Sequence, residues 1–217
     1  MSQTTNNHAG NAVIAEYEKY YNELVGLIKG KTKSSTTNSD CGHNAMVFVA
    51  MLNETDSVDM LCGEMSSLRT SLYEHLYDDM IREGKAEGTA REASDWAKNK
   101  MSEALDNFVA RENSILNVYV ADYSPRLLDQ FINPRAMKRG IENCKINIYP
   151  VPDDFSAKES LPHISKGDRI LVRVENDKRQ HSASVLVNPK KDLYKPLEET
   201  FNYMTRRCSP HRIDSLS

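Results

Sequence analysis

Apolar positions are spaced very differently along this chain. Residues 1 to about 10 are polar and rich in Asn and Thr, which suits a flexible end. From Asn11 the pattern changes: Val13, Ile14, Tyr17, Tyr20, Tyr21, Leu24, Val25 and Ile28 recur at helical spacing and predict an amphipathic helix over residues 11–29. The stretch GKTKSSTTNSD, residues 30–40, reads as a polar linker. A linker would set the helix apart, so its apolar face is to be covered either by its own domain or by a second subunit.

Ser39 or Asp40 can cap a second helix, CGHNAMVFVAMLNE, whose centre is apolar nearly all round and therefore predicted to be buried. SVDMLCGEM reads as a short buried strand ending at Gly63. SSLRTSLYEHLYDDMIREG is helical, with Ser66 or Ser67 as cap and Leu68, Leu72, Leu76 and Met80 in steps of four; Gly84 ends it. A long charged helix follows, with Ala93, Trp96, Ala97, Met101, Leu105, Phe108 and Val109 as its apolar stripe.

The second half alternates. SILNVYVADYS is a strand, PRLLDQFINPRAMKRGIEN a helix that Pro134 kinks or divides, and CKINIYPVPDD a strand ended by its prolines. Strand, helix, strand implies a parallel right-handed crossover. After a loop come DRILVRVEN and HSASVLVNP, a hairpin turning at DKRQ. DLYKPLEETFNYMTRRC closes the domain as a helix with Leu193, Leu197, Phe201 and Met204 inward. The predicted class is α/β: a mixed sheet of about five strands flanked by helices, over residues 41–209, with a tail at 210–217.

Composition narrows the function classes. At 217 residues, with 39% hydrophobic and 27% charged positions, the chain can bury a sizeable core. A net charge of −3 and sparse aromatics, 7%, make no case for the molecule as a whole binding nucleic acid. Only local basic runs such as RAMKRGIENCK and TRRCSPHR could touch phosphate. No apolar run approaches the roughly 20 residues of a membrane span, and MSQTTNNHAGN lacks the basic flank and apolar core of a signal peptide. The expected location is cytoplasmic. Cys41, Cys62, Cys144 and Cys208 are widely separated, so the expectation is free thiols.

The order helix, strand, helices, strand, helix, strand, hairpin, helix resembles one half of the phospholipase D superfamily fold over roughly residues 40–207. VDMLCGEMSSL resembles its first strand and turn, and DRILVRVEN with HSASVLVNPKKDLYKPLEETFNYM resembles the terminal hairpin and helix of non-catalytic members. Catalytic members carry H-x-K-x4-D, whose His attacks phosphorus while the Lys stabilises negative charge. H-x-K serves on a strand because residues i and i+2 share a face. Here the nearest match is His163, Ile164, Ser165, Lys166, with Asp168 after them. A spacing of three puts His163 and Lys166 on opposite faces of an extended backbone. His181 is followed by Ser182 and Ala183, so it offers no replacement.

The resemblance therefore implies a catalytically degenerate half-domain acting as a non-catalytic binding or assembly subunit, without a cofactor or metal. Because the superfamily pairs two halves, it also implies self-association as a homodimer, with a further protein partner or an accessory role in a prokaryotic defence or mobile-element system. Two other readings stay open. One is a divergent phosphodiesterase or nuclease using His163 and Lys166. The other is a small-ligand sensor whose crevice is lined by Glu64, Ser66, Asp122 and Ser124 at the presumed carboxyl ends of two strands. Cys62, in the same place, is a nucleophile only if a base or cation lowers its pKa. Cys41 with His43, and Cys208 with His211, supply four zinc-type ligands, but C-x-H is tighter than the usual two-to-four-residue spacing of structural sites.

Overall fold

The computed structural model describes residues 4–38, 40–63, 65–121, 130–152, 163–177 and 182–208. Its helices are α1 (Thr4–Lys29), α2 (Cys41–Glu54), α3 (Thr70–Arg82), α4 (Glu87–Ala110), α5 (Pro134–Glu142) and α6 (Lys191–Arg207). Its strands are β1 (Ser34–Asn38), β2 (Ser57–Cys62), β3 (Ile115–Val120), β4 (Ile146–Pro150), β5 (Ile164–Gly167), β6 (Leu171–Asp177) and β7 (Ser182–Val187). They form one sheet in the order β1-β7-β6-β5-β2-β3-β4. β2, β3 and β4 run parallel, and every other pairing is antiparallel. Among the described residues no helix is long and apolar enough to cross a membrane.

The α/β class with a mixed sheet flanked by helices is observed, with seven strands in place of about five. The two additions have physical reasons. Residues 34–38, expected to be linker, are SSTTN; small β-tolerant side chains suit an edge strand that only half-buries its residues, and they pair with β7 from Ser34 opposite Val187 to Asn38 opposite Ala183. β5 is four residues, ISKG, too short and too polar to show a period, yet it is paired on both sides and buried.

Helices α1 to α5 cover one face. Val58, Met60, Leu116, Val118, Ile146 and Ile148 of the sheet meet Phe48, Met51, Leu105, Phe108 and Met137 there. Among the described residues α6 covers the other face, where Leu61, Tyr119 and Ile164 meet Phe201 and Met204. The apolar face of α1 packs within its own chain: Tyr17, Leu24 and Ile28 are buried against the layer that holds α2 and α4. At Gly42 the approach is so close that a Cβ would lie 2.1 Å from the Tyr17 ring.

Leu193 was expected inward but is 55% exposed, and Tyr194 is buried in its place. Steps of four residues turn a helix about 40° past a full revolution, so Leu193, Leu197 and Phe201 drift off one line. Tyr194, Leu197, Phe201, Met204 and Cys208 alternate three and four and hold the stripe.

Asp40 caps α2, its Oδ1 accepting from the His43 N–H at 2.8 Å. Its Oδ2 pairs with His43 Nδ1, and the His43 ring meets Tyr17 and Tyr20 of α1 edge-on at 5.2 and 4.7 Å. Burial alone would lower the His43 pKa and raise that of Asp40. The hydrogen bond and attraction between them outweigh it and move both the other way. His43, raised, adds stability that is whole below its ordinary 6.5 and fades as pH rises through the higher folded value. Asp40, lowered, adds stability that is whole above 3.8 and fades as pH falls through the lower folded value. The expected result is that His43→Gln destabilises most between these limits and that its penalty shrinks on the alkaline side, as read by melting curves of both proteins across pH.

Candidate functional site

β5 runs antiparallel to β2, with Ile164 opposite Leu61, so the residue before β5 lands beside the carboxyl end of β2. That residue is His163. The Gly63 N–H donates to His163 Nε2 at 2.9 Å. A nitrogen that accepts carries no proton, so the ring proton of the neutral imidazole sits on Nδ1, which lies 2.5 Å from Glu175 Oε2. The backbone locks the same pair together: the Glu175 N–H donates to the His163 carbonyl at 2.9 Å. Arg173, two positions before Glu175 on β6, lies 3.6 Å from its Oε1 and donates from Nε to Asn44 Oδ1 at 2.9 Å. Its guanidinium also sits 5.4 Å from the centre of the Phe48 ring of α2. Ser165, the i+2 neighbour of His163, is buried opposite Arg173.

Lys166 is on the other face. Its Nζ pairs with Asp59 Oδ2 beneath α6, with the Phe201 and Tyr194 rings 5.3 and 5.7 Å away. Asp59 Oδ1 accepts from Asn117 at 2.8 Å, and Asn117 Oδ1 accepts from Asn147 at 3.1 Å. A polar row therefore crosses β5, β2, β3 and β4 at one register. Asp168 holds the β5–β6 turn at φ 44°, its carboxylate accepting from the Asp56 N–H at 3.0 Å.

Charge states follow from these partners. Burial alone would push the Glu175 carboxyl up, but the His163 ring and the Arg173 guanidinium outweigh it and hold the group below its ordinary 4.5. Its stabilising share is therefore whole above pH 4.5 and lost as pH falls through the lower folded value, so Glu175→Gln is expected to flatten the acid side of the stability profile. Burial lowers the Arg173 pKa. Burial would also lower that of Lys166, but Asp59 outweighs it. Burial pushes the Cys62 thiol up to about 12, with Glu175 adding to the rise, so no thiolate is ready there at neutral pH. Timed alkylation is expected to modify the exposed Cys144 first and to spare Cys41, Cys62 and Cys208 in the folded protein.

Most of the other candidates read from the sequence fall on residues that the structure does not describe. Glu64, Asp122 and Ser124, with His181 and His211, lie outside the described residues, and Ser66 opens a 3-10 turn over Ser66–Leu68. Cys41 belongs to the helical side of the sheet and donates to Asp79 at 3.7 Å, whereas Cys208 belongs to the α6 side. They do not converge.

No protein-family model matches this sequence, and no curated protein matches it at a significant level. Solved structures are similar to it, among them these two. One is Nuc from Salmonella typhimurium, described as a phospholipase D family member, with 12% identity, a TM-score of 0.44, and coverage of 83% of this chain and 99% of that one. The other is phosphatidylserine synthase from Haemophilus influenzae Rd KW20, with 10% identity and a TM-score of 0.45; the match covers 83% of this chain and spans 40% of that one.

Arg173, Glu175, Asn44 and Gly63 were not singled out from the sequence. A signal existed for two of them. In LVRVEN, Arg173 and Glu175 stand at i and i+2 of a strand whose alternate members are apolar, the mark of a charge pair turned to one face. Asn44 and Gly63 reach the cluster only through tertiary placement.

Proposed function

We propose that this chain is a non-catalytic binding or assembly subunit in which the place of a phosphodiesterase site is occupied by a structural brace. The observation that carries the reading is the Gly63 N–H on His163 Nε2. A histidine nucleophile attacks phosphorus with that kind of in-plane lone pair, and here the lone pair is already accepting. Among the described residues no lysine stands on the same face to steady the transferring group, since Lys166 is committed to Asp59 on the far side. Arg173 does lie on the histidine's side, but it is buried between Glu175, Asn44 and Phe48. These contacts of His163, Arg173 and Glu175 are thus all to groups of the protein itself.

The test is metal-independent hydrolysis of bis(p-nitrophenyl) phosphate, single-stranded DNA and a phospholipid by wild type and His163→Ala. The expected result is no turnover above blank for either protein, and a stability loss of about 2 kcal/mol in the variant, because Gly63 N–H and Glu175 lose their partner. Turnover by the wild type that disappears in His163→Ala would establish the phosphodiesterase reading instead. Self-association belongs to the same proposal: light scattering at micromolar concentration is expected to give twice the monomer mass of 24.6 kDa, and a monomer would remove the assembly part.

A further inference from the structure

A cleft of about 350 Å³ lies between α1, α2 and α4, and none of the residues that line it belongs to the histidine cluster. Met46 and Val49 of α2 and Ala104 of α4 are buried residues that line it, and Tyr21 and Trp96 add aromatic surface. Its volume falls within the range of roughly 300–1,000 Å³ that small-molecule sites occupy. Polar groups with unused capacity line it as well. Tyr21 Oη accepts from Asn53 Nδ2 at 3.0 Å, which leaves the tyrosine proton to donate and Asn53 Oδ1 to accept. The side-chain amides of Asn22 and Asn107, also lining the cleft, make no hydrogen bond among the described residues. Charge at the site is one-sided: Glu18 and Glu103 face a single Lys100, which already lies 3.9 Å from Glu103.

We propose that this cleft binds an uncharged small molecule with an apolar body and an amide-type edge of adjacent donors and acceptors, the class to which nucleosides belong. The buried apolar lining takes the body, and methionine adapts its shape there at little cost. The three asparagine amides and the Tyr21 hydroxyl read the edge, because an amide pairs with a matching donor–acceptor pair. The surplus carboxylate discourages a phosphorylated ligand. Since α1 supplies one wall and α2 and α4 the others, occupancy ties the N-terminal helix to the domain.

Trp96 is the one tryptophan of the sequence and lines the cleft, so its fluorescence and indole N–H resonance give a single-site signal for binding there. Adenosine, guanosine, cytidine and uridine are titrated into the full chain at millimolar concentration, each against its 5′-monophosphate. The expected result is a saturable Trp96 shift with at least one nucleoside, a weaker one with its monophosphate, and slower amide exchange in α1 on binding. Tyr21→Phe, which keeps the ring and removes the donor, is expected to weaken binding about fivefold, the worth of one hydrogen bond. The exposed Asn107→Ala serves as a second variant that leaves the core untouched and is expected to weaken binding as well. No shift with any nucleoside, equal affinity for the monophosphates, or affinity unchanged in both variants would overturn the proposal. The absence of hydrolysis proposed for His163 would stand in either case.

Discussion

Arg173→Ala is expected to lower the unfolding free energy by about 3–5 kcal/mol, the loss typical of removing one member of a buried ion pair. The guanidinium is buried, and its partners leave it no alternative: Glu175 at 3.6 Å, Asn44 at 2.9 Å and the Phe48 ring at 5.4 Å. Removing it leaves the mostly enclosed Glu175 carboxylate without its buried cation, with the His163 ring still beside it, and it opens a hole against α2. A domain of this size holds only about 5–15 kcal/mol in reserve, so the variant should unfold at much lower denaturant while keeping the slope of its transition. Arg173→Met with Glu175→Leu supplies the contrast. With both charges gone and the volume roughly kept, the double variant should recover more than half of the loss. If Arg173→Ala costs less than about 1 kcal/mol, the value of an exposed pair, the cluster is not the brace described here.

Gly42→Ala is expected to cost about 3 kcal/mol, the upper end for overpacking, and to release α1 before the rest of the domain. The new Cβ would come within 2.1 to 2.5 Å of three atoms of the Tyr17 side chain, two of the ring and the hydroxyl oxygen. That ring is held from other sides by His43, edge-on at 5.2 Å, and by Trp96, stacked at 6.4 Å. It cannot swing aside without breaking both contacts. Native-state hydrogen exchange should show α1 amides opening faster in Gly42→Ala while those of β2 and β3 stay protected. In the double variant Gly42→Ala, Tyr17→Leu the penalty should be smaller than the sum of the single ones, because the smaller side chain relieves the clash.

The fold was largely legible because its elements obey simple periods. The bounds of α2 are legible in CGHNAMVFVAMLNE, with Ser39 or Asp40 as the cap, and β2, β3 and β4 in short apolar-rich runs between turn residues. β1 and β5 were not legible, since SSTTN and ISKG carry no apolar alternation and are strands only because their neighbours offer hydrogen bonds. For Leu193 the misreading was one of phase. The cluster at His163 was half legible. The three-residue step to Lys166 is written in the sequence, and the two side chains do lie on opposite faces. What the histidine meets on its own face is not, because Gly63 is 100 positions away and Asn44 is 129 positions from the Arg173 it receives. Contacts at that separation are set by strand order, which depends on how β5 inserts beside β2.

The most direct test is NMR of the His163 ring with nitrogen-15 label at neutral pH. An unprotonated Nε2 that shows scalar coupling to the Gly63 amide, unchanged when a phosphodiester is added, is the predicted result. A ring whose Nε2 exchanges freely with water, or becomes phosphorylated on that addition, would contradict it.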